Sequence, residues 1–127
     1  MRVLIVDDSG LVRDRLTAML SEQAGIEIIG EVEDAFSAIE SIQMHAPDVV
    51  ILDIHMAGSA SGIYVLERIK KLSNAPIVIM LTNYSHSQYR KRCADAGADY
   101  FFDKSSEFER VIDVLEALVK DSSSGAS

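Results

Sequence analysis

PDVVILD, residues 47–53, sets four apolar side chains in a row, Val49-Val50-Ile51-Leu52, between Pro47-Asp48 and Asp53. An apolar run without alternation suits a strand covered on both faces, and strands covered in this way belong to parallel sheets with helices on either side. The same pattern stands upstream in Val3-Leu4-Ile5-Val6 before Asp7, and downstream in Ile77-Val78-Ile79-Met80-Leu81 between Pro76 and Thr82. Between these runs the apolar period changes. Leu11, Val12, Leu16, Met19 and Leu20 recur at helical spacing until Ala24-Gly25 ends the segment. Residues 26–33 form a second strand whose mixed polarity and Gly30 suit a sheet edge. Asp34 can cap a helix carrying Phe36, Ile39 and Ile42 inward, which stops near Ala46 because Pro47 disfavours helical geometry in the residue before it.

The remaining chain repeats the unit. A loop with glycine and serine follows Asp53, then a helix with Tyr64, Val65, Leu66, Ile69 and Leu72. A helix over about 87–96 ends at Gly97, a left-handed cap, and residues 99–102 form the fifth strand. Phe108, Val111, Ile112, Leu115, Leu118 and Val119 mark the inner face of the last helix. Five βα units imply right-handed crossovers and a doubly wound α/β fold, (βα)5, with a parallel five-stranded sheet in the order 2-1-3-4-5. Residues 1–120 make one domain; residues 121–127, rich in serine and without apolar anchors, read as a disordered tail or the start of a linker.

Composition narrows the function. The 127 residues carry 20 acidic and 12 basic side chains, a formal charge of −8. A chain of this length buries about two-thirds of its unfolded surface, so its core needs no disulfide or metal. The negative field disfavours nucleic acid as a partner of this chain alone. No apolar run approaches the roughly 18–20 residues of a membrane span, no signal-peptide pattern follows Met1, and the lone thiol, Cys93, fits a reducing cytosol. A cytoplasmic location is expected.

In a sheet of this order chemistry gathers beyond the carboxyl ends of the strands. The first strand ends in Asp7-Asp8, the third in Asp53, the fourth in Thr82, and Lys104 closely follows the fifth. Taken singly these residues are ordinary: Asp8 or Ser9 can cap a helix, Thr82 suits a strand, and Lys104 suits a surface. Jointly they occupy four contiguous strands, and the strand contributing none, the second, stands at one edge. Three carboxylates in one crevice repel, which raises a pKa or demands a cation. Oxygen ligands without a His/Cys cluster favour a hard ion, Mg²⁺ first with Mn²⁺ as an alternative. The three histidines, at 45, 55 and 86, are scattered. A carboxylate beside such an ion, a lysine and a hydroxyl is equipped for phosphoryl transfer: Asp53 as nucleophile, Lys104 neutralising charge, Thr82 hydrogen-bonding a phosphoryl oxygen. No G-x-x-x-x-G-K-[ST] loop is present, so a nucleotide is not the evident donor.

VLIVDDS at 3–9, PDVVILD at 47–53, PIVIMLT at 76–82 and GADYFFDK at 97–104 closely resemble the receiver domain of two-component response regulators, in the layout of the stand-alone chemotaxis type. The resemblance runs from Arg2 to about Lys120. It implies a flavodoxin-like fold in which Asp53 accepts phosphate from a sensor histidine kinase or phosphotransfer protein. It implies that Asp7, Asp8 and Asp53 hold Mg²⁺, with the His55 backbone carbonyl completing the protein's share. It further implies a switch in which Thr82 moves toward the phosphoryl group and Phe101 turns inward, remodelling the face of the fourth helix, fifth strand and fifth helix. That face would engage a downstream protein or an output domain, or form a dimer. On this reading the chain is no enzyme in its own right, only a signalling module with self-phosphorylation and slow autodephosphorylation.

Several positions depart from the family pattern. Ala57 stands where proline is usual, Gly62 lies one place late, and Ser105 replaces the proline after the lysine, so a trans bond is expected there. Phe101 lacks the hydroxyl often found at the switch position. Tyr84 and His55 sit two places beyond Thr82 and Asp53, where Tyr84 can shield a phosphoryl group from water. The run Arg90-Lys91-Arg92 is a basic exception, read either as a solvated helix face or as a steering patch for an acidic partner. Two rival readings remain. A haloacid-dehalogenase-like phosphohydrolase expects an acid where His55 stands, and a pseudo-receiver would not retain Asp7, Asp8, Asp53, Thr82 and Lys104 together.

Overall fold

The computed structural model of the chain describes residues 1–56, 58 and 60–125. Its elements alternate without exception: β1 (Arg2–Val6), α1 (Gly10–Ser21), β2 (Glu27–Val32), α2 (Ala35–His45), β3 (Val49–Leu52), α3 (Gly62–Ile69), β4 (Ile77–Thr82), α4 (Ser87–Asp95), β5 (Tyr100–Asp103) and α5 (Arg110–Gly125). All strands pair in parallel, in the order β2-β1-β3-β4-β5. The expected fold and the edge position of β2 are both present. α5 extends past Lys120 into the segment read from sequence as tail or linker.

Apart from Arg2 at the start of β1 and Thr82 at the end of β4, the central strands are apolar because each side of the sheet is roofed. Leu4, Val6, Val50, Leu52, Val78 and Met80 point to one side, where Ala38 and Ile42 of α2, Leu66 and Ile69 of α3 and Cys93 of α4 close over them. Val3, Ile5, Val49, Ile51, Ile79 and Leu81 point to the other, against Leu16 and Leu20 of α1 and Val111 and Leu115 of α5. β2 lacks this roof on both sides and none of its residues is fully buried. Its pairing with β1 is irregular between Val3 and Leu4. There a Cβ on Gly30 would stand 3.3 Å from a Leu4 methyl. Cys93 is fully buried, and burial pushes its thiol up to about 11.

The inward assignment of Phe36 fails. Phe36 is 71% exposed, and the buried stripe of α2 is Ala35, Ala38 and Ile42 instead, with Ile39 at its flank. Two alanines let the helix lie close to the sheet, and Phe36, about 100° round from Ala35, then faces outward. Leu11, at helical spacing from the buried residues of α1, is 84% exposed: α1 presents Leu16 and Leu20 to the core, with Val12 and Met19 half-buried beside them. Phe108 is buried as expected but precedes α5. Tyr64 of α3 is also on the outside. Ala46, before Pro47, adopts a left-handed φ of 45° and closes α2. Among the described residues no peptide bond is cis and no helix is long and apolar enough to cross a membrane.

Candidate functional site

The site begins where β1 stops. Ser9, not Asp8, caps α1, its hydroxyl accepting from the Val12 N–H at 3.3 Å. That leaves the two preceding acids at the strand end. Asp7 is buried, with Oδ1 accepting from the Ser9 N–H at 2.9 Å, whereas Asp8 is exposed. The Asp7 backbone is fixed from both sides, its N–H donating to Val32 O at 3.0 Å and its carbonyl accepting from Arg13 Nη1 at 2.7 Å. Arg13 is half-buried and also approaches Glu31 at 3.5 Å. Sequence reasoning missed it; its position one turn into a capped helix was the only hint.

Asp53 emerges from β3 with its N–H donating to Val6 O at 3.1 Å, so the strand pairing itself sets it beside Asp7. It is only 6% exposed. One carboxylate oxygen, Oδ1, accepts from the Ile54 N–H at 2.7 Å; the other, Oδ2, meets Lys104 Nζ at 2.8 Å. The same ammonium lies 2.8 Å from Asp7 Oδ2. Asp7, Asp8 and Asp53 each offer a carboxylate oxygen, and all three lie within 4.8 Å of one another. The strand-end acids therefore converge, as expected, and one lysine bridges the two buried ones.

The electrostatics follow from this geometry. Burial pushes the Asp7 carboxyl above its ordinary value, and the hydrogen bonds from Lys104 and Ser9 only partly oppose it. Burial pulls Lys104 down, but its hydrogen bonds to Asp53 and Asp7 and the charges of those two acids together outweigh that and hold it above its ordinary value. One ammonium, paired with Asp7 and Asp53, stands against three carboxylates, so the cluster keeps a negative excess. The donor set is all oxygen, which fits a hard divalent cation.

Thr82 is fully buried at the end of β4, and its Oγ1 accepts from the Tyr84 N–H at 3.1 Å. Its carbonyl accepts from the Lys104 N–H at 2.9 Å, and Thr82 is in register with Asp103 of β5. The strand ends thus bring Thr82 and Lys104 together. His55 is exposed, and its ring lies against Tyr84 with centroids 3.8 Å apart and the planes tilted by 31°. Tyr84 in turn meets Tyr89 edge-on at 5.9 Å. Phe101 is half-buried beneath Arg90, whose guanidinium carbon lies 4.6 Å from the ring centroid.

Gly62 is another residue whose role sequence did not reveal. Its N–H donates to Ile54 O at 2.6 Å, and a Cβ there would overlap the Asp53 carbonyl oxygen. The start of α3 is thereby pressed against the backbone that carries Asp53. This requirement is steric and left no mark beyond a glycine after the Ser61 cap. Ala57, the departure from the family pattern in this loop, lies outside the described residues.

The chain matches the family model described as response regulator receiver domain over residues 3–116. It is 38% identical over 118 residues to the transcriptional regulatory protein PdtaR of Mycobacterium tuberculosis, covering 93% of this chain and 56% of that protein. It is 33% identical over 117 residues to the DNA-binding transcriptional activator EvgA of Escherichia coli, covering 92% and 56%. The chain thus spans about half the length of these curated relatives. A chain of the CheX–CheY–BeF3–Mg²⁺ complex from Borrelia burgdorferi superposes with a TM-score of 0.77 at 31% identity, over 91% of this chain and 89% of that one. With its strand order, its strand-end acids and a match spanning nearly its whole length, this chain belongs to the response regulator receiver domain family of two-component signalling.

Proposed function

We propose that Asp53 accepts a phosphoryl group from a phosphohistidine of a sensor histidine kinase or phosphotransfer protein. The observation that carries this reading is the bridged carboxylate cluster: Lys104 Nζ at 2.8 Å from both Asp53 and Asp7, with Asp8 completing a set of oxygens within 4.8 Å. An Asp53 carboxylate oxygen attacks phosphorus, the O–P bond forms, and the P–N bond breaks with its electron pair leaving on the imidazole. Asp7, Asp8 and Asp53, with the His55 carbonyl, would hold Mg²⁺ or Mn²⁺. Such an ion, when bound, supplies positive charge for the phosphoryl oxygens and relieves the repulsion among the three acids. The Borrelia complex, which contains BeF3 and Mg²⁺, supports that choice.

Lys104 turns its ammonium from the carboxylate to the phosphoryl oxygens, and the Thr82 hydroxyl donates a hydrogen bond to one of them. Phe101 and the α4-β5-α5 face then change arrangement and engage a downstream target, an output domain or a second copy. Residues 1–120 form this receiver unit, and the segment from residue 121, whose first residues continue α5, serves as tail or the start of a linker. The chain works in the cytoplasm, contacts no nucleic acid by itself, and catalyses only its own phosphorylation and slow hydrolysis. Tyr84, lying against His55 at the rim, slows that hydrolysis by excluding water; Tyr84→Ala is expected to shorten the lifetime of the phosphorylated form, and an unchanged lifetime removes this role.

The test is exposure to acetyl phosphate with and without Mg²⁺, read by intact mass. One added phosphoryl group, dependent on the metal and absent in Asp53→Ala, is the expected result. An unchanged mass at saturating donor contradicts the reading.

A further inference from the structure

The loop after β4 carries Thr82's neighbours, and the loop after β5 carries Lys104. A set of contacts sews the two together. Ser105 Oγ donates to Asn83 Oδ1 at 3.3 Å. Asp103 accepts from the Ser105 and Ser106 N–H groups at 2.8 and 3.1 Å, and its own N–H donates to Glu107 Oε1 at 3.0 Å. The same Glu107 oxygen accepts from Arg90 Nη2 at 3.3 Å, while Arg90 Nε donates to the Ser85 carbonyl at 3.2 Å. Arg90 therefore ties α4, the loop after β4 and the loop after β5 at one point. Its guanidinium also covers the ring of Phe101. A phenyl ring has no hydroxyl with which to anchor itself, so the attraction of its face for a cation is the directional contact left to it.

We propose that Arg90 is a positioning residue: it latches Phe101 and the two loops in the arrangement of the unmodified protein, and phosphorylation of Asp53 releases it. The inference rests on Asp53 being the phosphoacceptor. A phosphoryl group on Asp53 brings three oxygens into the space that Lys104 Nζ now spans at 2.8 Å, so the ammonium withdraws from the carboxylate. Lys104 adjoins Asp103, whose N–H shares one Glu107 oxygen with Arg90. Displacement at the first contact is thus felt at the last through an unbroken series of bonded neighbours. Arg90 is 43% exposed, so water can take over its hydrogen bonds when the latch opens. By reciprocity, whatever the latch adds to the unmodified state it withholds from the modified one.

The test uses the full chain with Mg²⁺ and beryllium fluoride as the phosphoryl mimic, titrated by calorimetry. Arg90→Met keeps the stem over the ring and removes the guanidinium. Glu107→Gln keeps an acceptor for the Asp103 N–H and removes the charge. Each is expected to tighten beryllofluoride binding by about 3- to 10-fold, with affinity for Mg²⁺ alone unchanged. The double variant is expected to gain no more than either single one, since both open the same latch. In the wild type, the Arg90 Nε–H resonance is expected to lose its ring-current shift when the mimic binds. A merely structural role predicts the opposite sign, because a loosened fold binds the mimic less well. Unchanged or weakened binding in the variants, or an Arg90 resonance indifferent to the mimic, overturns the latch. A wild-type chain that binds no beryllofluoride overturns the phosphoacceptor reading and the latch with it.

Discussion

Two groups of ion pairs in this molecule have nearly the same lengths and opposite characters. Lys104 meets Asp7 and Asp53 at 2.8 Å, with all three side chains at most 10% exposed. Arg90 and Arg110 meet Glu107 at 3.3 and 2.9 Å, with the arginines 43% and 63% exposed. In the first group water is excluded, so each charge depends on its partner, and burial, only partly opposed by Lys104 and Ser9, raises Asp7. In the second, water screens the charges and can replace either partner. Distance alone does not distinguish a reactive cluster from a reversible contact; burial does. The buried group suits chemistry, and the exposed group suits a contact that must open.

Removing the cation from each group is the sharpest way to break this contrast. Lys104→Met leaves two buried carboxylates without their ammonium and is expected to lower stability by about 3 kcal/mol in urea unfolding, with part of the loss recovered in millimolar Mg²⁺. A loss under 1 kcal/mol would place this group with the exposed one. Gly62→Ala comes next. The new Cβ meets the Asp53 carbonyl, the start of α3 must move, and about 1–3 kcal/mol should be lost together with metal affinity. Arg110→Ala is expected to change stability by at most about 1 kcal/mol, with no effect on Mg²⁺ binding. Acid sharpens the exposed side of the comparison. Hydrogen bonding from the Asp103 N–H, then from Arg110 and Arg90, holds Glu107 below its ordinary 4.5. A depressed folded value stabilises the folded state above that ordinary value and ceases to do so as pH falls through the lowered one. The difference in stability between wild type and Glu107→Gln is therefore expected to shrink toward zero as pH drops below 4.5.

The sheet and the acids at its ends were readable because both follow from local pattern. Unbroken apolar runs specify strands roofed on both sides, and the residues ending those runs must emerge at one edge of a parallel sheet. Thus the convergence of Asp7, Asp8 and Asp53, and of Thr82 with Lys104, was legible before any coordinates. Phe36 and Leu11 were not, since each lies one helical step from a buried stripe and only the approach of the helix to the sheet decides which side is inward. Gly62 and Arg90 were hidden for a different reason. Their roles depend on partners eight to seventeen residues away: Ile54 and Asp53 for Gly62, Phe101 and Glu107 for Arg90. No periodicity encodes such meetings.

The central claim is that three acids, Asp7 and Asp53 buried and bridged by Lys104 and Asp8 exposed beside them, form one receptor for a divalent ion. Calorimetric titration of the chain with Mg²⁺ tests it most directly. One ion per chain, with binding abolished in Asp7→Asn and melting temperature rising with metal concentration, is the expected outcome. Absence of binding and an unmoved melting temperature at millimolar Mg²⁺ would contradict it.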